Sequence, residues 1–128
     1  MKFRTQIECT PLKAKIDYGT EIFAVGSCFA QNIAQRLRQA KFRVITSPTG
    51  ILFNPASIAQ SLTAFATNQV VDPARIVHRG EAWVSLDCHS DLTGNSKQEA
   101  LNIWQSAIIE GHKRLSSASC VVITLGTA

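Results

Sequence analysis

The order of short apolar runs and helical patterns restricts the fold of this chain more than any other sequence feature. Residues 22–25 form an apolar run that stops at Gly26, and residues 28–41 then carry apolar side chains at helical spacing. Residues 42–46 predict a second strand. Residues 120–127 are continuously apolar and rich in β-branched side chains, which is typical of a strand covered on both faces.

Two more helices are predicted between the second and third strands. Asn54-Pro55 indicates a helix start, because Asn suits the N-cap and Pro the first helical turn. Another helical pattern begins near Lys97, after turn-rich residues 68–95 that include one arm of a possible hairpin. Strands that alternate with helices predict the α/β class, with a mainly parallel sheet and helices on both of its faces.

Length and composition agree with one globular domain. The chain has 128 residues, of which 45% are hydrophobic and 17% charged. Its polar, weakly patterned residues 1–20 predict an irregular arm in front of an α/β core over residues 21–128. No apolar run approaches the roughly 20 residues that span a bilayer, and the N-terminus lacks the apolar core of a signal peptide. We therefore predict a cytoplasmic protein that does not bind membranes.

Several classes of partner and cofactor have no motif here. The net charge is +4, but the basic side chains are scattered and no nucleic-acid-binding module is present. Neither glycine-rich phosphate motif occurs and metal ligands are sparse, so no cofactor is expected. The cysteines are widely spaced and form no Cys-x-x-Cys pair, which argues against a metal site: Cys9, Cys28, Cys88 and Cys120.

The first strand–helix junction, Gly26-Ser27-Cys28, is the strongest candidate for chemistry. Functional groups gather at the carboxyl ends of the strands in parallel sheets. A helix N-terminus favours an anion, and it would lower the pKa of the Cys28 thiol. Ser27 would need an adjacent base to react. The residues alone leave a structural alternative open, in which Ser27 is only an N-cap and Cys28 a small buried side chain.

Four sequence blocks carry a resemblance to a known family. They are "GSCFA" at residues 26–30, "SPTGILFNPASI" at 47–58, "WVSLDCHSDL" at 83–92 and "VVITLGTA" at 121–128. In this order they resemble the GSCFA domain family, a distant relative of the SGNH (GDSL-like) hydrolases. The resemblance implies a three-layer α/β/α sandwich of flavodoxin-like type. It also implies an esterase or acyltransferase acting on a small-molecule or glycan ester, such as an O-acylated glycan.

The resemblance also implies two registers for the nucleophile. If Gly26 matches the glycine of the Gly-Asp-Ser block in SGNH enzymes, Cys28 falls on the nucleophilic serine. If the serine is preserved instead, Ser27 is the nucleophile. The first register is slightly favoured, and both residues remain candidates.

Further site residues follow from the other blocks. Gly26, Gly50 and Asn54 are expected to bind the substrate or the oxyanion. Thr127 stands where SGNH enzymes continue toward an asparagine, and it is expected to donate a hydrogen bond to the substrate or the oxyanion. His89 is expected to bind substrate from its loop. Ordinary structural roles compete with these: a plain turn at Gly50, a helix N-cap at Asn54 and a surface loop at His89.

The general base is not identified by any block. The Asp-x-x-His block of SGNH enzymes does not occur in this sequence. The resemblance places it beyond residue 128, so we expect the chain to be the N-terminal portion of one domain and to hydrolyse esters slowly or not at all by itself. A non-catalytic module that binds acyl groups or carbohydrate is the alternative function. A redox role for Cys28 is disfavoured because no Cys-x-x-Cys partner exists.

Overall fold

The computed structural model describes residues 3–126 as a mixed α/β structure with three α-helices and two small sheets. A 3-10 turn at Pro73–Arg75 precedes the second sheet. The elements in chain order are β1 (Glu21–Gly26), α1 (Cys28–Gln39), β2 (Arg43–Thr46), α2 (Pro55–Thr67), β3 (Ile76–Arg79), β4 (Ala82–Ser85), β5 (Thr93–Gly94), α3 (Lys97–Ser117) and β6 (Cys120–Thr124).

The first sheet is parallel, with the strand order β2-β1-β6, so β1 is its central strand. Side chains of β1 alternate between two apolar clusters, as the pleat of a strand requires. Ile22 and Ala24 pack with Ala34 of α1 on one face. Phe23 joins the larger cluster on the other face, where its ring meets the ring of Phe65 of α2 edge-on at 6.0 Å. The predicted parallel sheet and α/β class are confirmed.

The three predicted helices are present, and side-chain hydrogen bonds cap two of them at their N-termini. Asn54 Oδ1 accepts a hydrogen bond from the Ala56 N–H at 2.8 Å, which confirms the Asn-Pro start of α2. Ser96 caps α3 by accepting from the Glu99 N–H at 3.1 Å. The Glu99 carboxylate in turn accepts from the N–H of Asn95 at 2.7 Å. These bonds satisfy backbone donors that have no partner inside the helix.

The second sheet is antiparallel, with the order β3-β4-β5, and it contains the predicted hairpin. An ion pair joins the two chain ends of the β3–β4 hairpin, because Arg75 precedes β3 and Asp87 follows β4. Arg75 donates from Nε to Asp87 Oδ2 at 3.0 Å and from Nη2 to Asp87 Oδ1. Gln60 of α2 donates to the same carboxylate at 2.8 Å. The bidentate guanidinium–carboxylate contact therefore closes the hairpin at its open end, and Gln60 ties that end to α2.

The prediction that the last strand is covered on both faces is wrong for β6. Cys120 and Val122 pack toward α1, but Val121 and Ile123 are 42% and 49% exposed. The physical reason is position, because β6 follows β1 as an edge strand and the core that contains α2 and α3 lies against Phe23 and Val25 of β1.

Residues 3–20 form neither a helix nor a strand, and the Tyr18 ring stacks on Phe42 at 4.7 Å. Within residues 3–126, no helix combines the length and apolar character needed to cross a membrane.

Candidate active site

The loops that follow β1, β2 and β6 are joined by backbone hydrogen bonds at the carboxyl end of the parallel sheet. The Ser27 N–H donates to the carbonyl of Thr124 at 3.1 Å, and the Leu52 N–H donates to the carbonyl of Gly26 at 2.9 Å. The junction after β1 is therefore fixed on both sides. This edge is where open α/β sheets carry their functional groups.

Gly26 is required by the close approach of β6. Its φ angle is +134°, which L side chains rarely adopt, and a Cβ built on it would collide with the backbone carbonyl of Thr124. A side chain here would push the two strands apart at the point where the site forms.

Ser27 faces the sheet edge. The residue is 6% exposed, and its Oγ lies 3.0 Å from Thr124 Oγ1. Ser27 occupies the N-cap position of α1, but its side chain makes no capping hydrogen bond. The hydroxyl is thus engaged with the neighbouring strand, and it does not cover the backbone N–H groups at the start of α1.

Cys28 has the opposite environment. It is the first residue of α1, it is exposed, and it is a free thiol. No acidic side chain lies in the first turn of the helix. An exposed sulfur atom beside uncapped N–H groups at a helix N-terminus can attack a carbonyl group, and the same N–H groups can bind the oxyanion that forms.

Gly50 and His89 are brought together, although 39 positions separate them in the sequence. Gly50 has a φ angle of +78°, and a Cβ on it would lie 2.7 Å from His89 Cβ. The His89 N–H also donates to the carbonyl of Thr49 at 2.9 Å. His89 therefore packs on the loop after β2. The Gly50 N–H donates within its own turn to the carbonyl of Ser47 at 3.2 Å.

A buried hydroxyl cluster beneath this loop was not anticipated from the sequence. Ser47 Oγ lies 2.7 Å from Thr49 Oγ1, and Ser61 of α2 donates to the same Thr49 oxygen at 3.2 Å. All three residues are at most 7% exposed. The signal available in the sequence was Ser61 on the apolar face of α2, one turn from Ile58 and Phe65, where a polar side chain needs a buried partner.

His89 contacts an acidic residue two positions along the chain. Its Nδ1 lies 3.2 Å from Asp91 Oδ2, and the Asp91 N–H also points to Nδ1 at 3.2 Å. Asp87, the other nearby carboxylate, is paired with Arg75. The pairing of His89 with Asp91 was also missed by sequence reasoning.

The remaining candidates are less well placed. The Oδ1 atom of Asn54 is occupied by capping α2, which leaves its amide Nδ2 as a donor. Thr127 lies outside the described residues. Cys88 is half-buried, and loss of hydration raises the pKa of its thiol above the ordinary value. Across the described part of the chain, no group of three or more His, Cys, Asp or Glu side chains could hold a metal ion.

The fold and the site define an α/β protein whose parallel sheet carries an exposed cysteine at its first strand–helix junction. The chain belongs to the GSCFA family, whose model matches residues 21–128. The resemblance expected from the four sequence blocks is thereby confirmed. No curated protein and no solved structure matches the chain.

Proposed function

We propose that this protein is an SGNH-like hydrolase or acyltransferase that acts on ester bonds through Cys28. The supporting observation is the contrast at the junction, where the Cys28 side chain is exposed and the Ser27 hydroxyl is turned toward Thr124. The proposal includes the three-layer α/β/α sandwich of the SGNH fold. Helices that pack on both faces of β1 are consistent with that architecture.

The proposed reaction has two acyl-transfer steps. The Cys28 thiolate attacks the carbonyl carbon of an ester, the alcohol leaves, and a thioester forms on the sulfur. Water or a sugar hydroxyl then attacks the thioester and releases the thiolate. Small-molecule esters and O-acylated glycans are the proposed substrates.

Donors for the oxyanion are supplied in this proposal by the first turn of α1. The N–H groups there are not covered by the Ser27 side chain. The Gly50 N–H is already bonded to Ser47, so it is a weaker candidate, and the free amide Nδ2 of Asn54 is a second donor. Each such donor contributes to the rate only if it points to where the negative charge develops.

The test is hydrolysis of p-nitrophenyl acetate by the full-length protein, by its Cys28→Ala variant and by the neighbouring control Ser27→Ala. We expect Cys28→Ala to lose turnover and Ser27→Ala to keep it. Mass spectrometry of the wild type during turnover is expected to find an acetyl group on the peptide that contains Cys28. Full activity in a folded Cys28→Ala variant would refute the proposal.

A binding module is the second candidate function, because the Gly50 N–H, a candidate oxyanion donor, is already bonded to the carbonyl of Ser47. Such a module would hold an acyl or carbohydrate group without cleaving it. Calorimetric binding of an O-acetylated sugar together with no turnover of any ester would favour this reading over the enzyme.

A further inference from the structure

We propose that the cavity between α2, α3 and the loop that leads into β3 binds a small primary amine with an apolar body. The cavity has a volume of about 130 Å³, and its rim includes the ion pair of Arg75 and Asp87. None of the residues that line it belongs to the Gly26-Ser27-Cys28 junction. The proposed amine site is therefore separate from the proposed ester chemistry, and its test does not require turnover.

The floor of the cavity is apolar. Ala64 of α2, Val71 of the following loop, and Trp104 and Ile108 of α3 line it, and each is at most 8% exposed. Trp104 and Ile108 are four residues apart on α3, so their side chains lie on one face of the helix. An apolar cavity of roughly 150 Å³ can hold benzene. The floor therefore accommodates a six-membered ring or a short branched chain.

The rim of the cavity carries more negative than positive charge. One guanidinium and two carboxylates line it: Arg75, Asp72 and Asp87. Hydrogen bonding to Asp87 and the charge of that carboxylate raise the pKa of Arg75 above its ordinary value, and the charge of Asp72 adds to the effect. Arg75 and Asp87 neutralise each other, so the charge of Asp72 is left over. A cationic ligand therefore complements this rim, and an anionic ligand is disfavoured.

The polar atoms that remain free at the rim favour an ammonium group. Asp72 Oδ1 accepts a hydrogen bond from the Ala74 N–H at 2.9 Å, which leaves Oδ2 for a ligand. Gln60 Nε2 donates to Asp87 at 2.8 Å, which leaves the Oε1 atom of Gln60 as an acceptor. An ammonium group has three donors and no acceptor, so it can bond to both oxygens at once. The apolar body of the same molecule then packs on Trp104 and Ile108.

The experiment is a titration of the full-length protein with benzylamine, followed by NMR. The indole N–H signal of Trp104 reports on the cavity floor, and that of Trp83 on β4, which does not line the cavity, is the internal control. We expect benzylamine to shift the Trp104 signal with a Kd of about 10 mM or tighter, as is typical of a ligand of about eight non-hydrogen atoms. Benzyl alcohol should bind more weakly, and benzoate should leave the signal unchanged.

The variant Asp72→Asn tests the role of charge, with Glu81→Gln as its matched control. Asparagine can still cap the turn at Ala74, so the substitution removes the charge and keeps the local hydrogen bond. Glu81→Gln removes the same charge from the turn between β3 and β4, at the other end of the hairpin. We expect Asp72→Asn to raise the Kd for benzylamine by about 5-fold or more, because a charged hydrogen bond becomes a neutral one. Glu81→Gln should leave the Kd unchanged.

The variant Ala64→Leu tests the cavity itself, since the larger side chain fills space on the floor. It should abolish the benzylamine-dependent shift of Trp104. If this variant does not fold, the pair Asp72→Asn and Glu81→Gln still decides the proposal.

The outcomes distinguish this site from the proposed active site. If no probe shifts the Trp104 signal, the cavity holds only water and the proposal is overturned. Equal affinity for benzylamine and benzyl alcohol, or equal weakening in Asp72→Asn and Glu81→Gln, would overturn the assignment of an amine. Cys28→Ala should bind benzylamine as the wild type does, whatever its effect on ester hydrolysis, and a loss of binding in this variant would contradict the separation of the two sites.

Discussion

The hydroxyl groups of Ser27 and Thr124 lie 3.0 Å apart, although 97 positions separate these residues in the chain. Because of this contact, the adjacent side chains of Ser27 and Cys28 have different surroundings and different roles. The serine ties the end of β1 to the end of β6, and the cysteine after it is left facing solvent at the start of α1.

Replacing Ser27 by alanine should therefore affect stability more than chemistry. Thr124 Oγ1 would lose its hydroxyl partner at a part-buried site and keep only the bond from the backbone N–H of residue 27, which typically costs about 0.5–1.5 kcal/mol. Cys28→Ala removes an exposed side chain and should leave the free energy of unfolding within about 0.5 kcal/mol of the wild type. Urea unfolding of both variants measures the difference, and equal stabilities would contradict the assignment of Ser27 to the sheet edge.

Gly50→Ala should destabilise the protein more than Gly80→Ala. Both glycines have a positive φ angle, +78° and +65°, so each substitution carries about 1–2 kcal/mol of backbone strain. Gly80 has open space around it, whereas a Cβ on Gly50 meets His89 Cβ at 2.7 Å. We expect Gly50→Ala to cost about 1–3 kcal/mol beyond the Gly80 value. If the two variants unfold at the same urea concentration, His89 does not pack on this loop.

The ion pair between Arg75 and Asp87 should stabilise the folded protein more than the one between Arg114 and Glu110. The Asp87 side chain is 9% exposed, and removing Arg75 leaves its carboxylate with only Gln60 as a side-chain partner. The Glu110 and Arg114 side chains are 47% and 40% exposed on one face of α3, where water replaces a lost partner. Arg75→Met should lower the urea midpoint clearly, and Arg114→Met should change it little. The reverse order would show that the hairpin does not depend on this contact.

Ionisation of the Cys88 thiol should lower the stability of the folded protein at alkaline pH. Loss of hydration raises the pKa of its thiol in the folded state, so folding favours the protonated form. The contribution is intact below the unfolded pKa of about 8.5, and it is lost as the pH rises through the folded value. The free energy of unfolding, measured between about pH 7 and pH 10, should fall less steeply with pH for Cys88→Ala than for the wild type. Cys9→Ala, which removes an exposed thiol from residues 3–20, should follow the wild type.

Local patterns predicted most of the fold. The apolar run before Gly26, the helical spacing after Cys28 and the Asn54-Pro55 start each depend on neighbours a few residues away. The family membership was also readable, because its blocks are contiguous in sequence. The exposure of one face of β6 could not be predicted from the sequence, since the exposure of Val121 depends on which strands and helices lie beside it.

The contacts within the site could be predicted only in part. Gly50 and His89 were both predicted from their blocks, but their packing depends on the path of residues 68–95, where the sequence patterns are weak. The link from Ser27 to Thr124 joins two strands that are adjacent only after folding. The contact between His89 and Asp91 was not predicted, because these two residues do not have the Asp-x-x-His spacing of SGNH enzymes.

The hydroxyl cluster of Ser47, Thr49 and Ser61 has a consequence for any titration of this protein. It fixes the loop under His89 with groups that carry no charge at any pH between acid and strongly alkaline solution. The hydrogen bonds among these three hydroxyl groups therefore persist over that whole pH range. A pH-dependent change near His89 would have to come from the ionisable side chains around it, such as Cys88 and Asp91, and not from the hydroxyl groups beneath the loop.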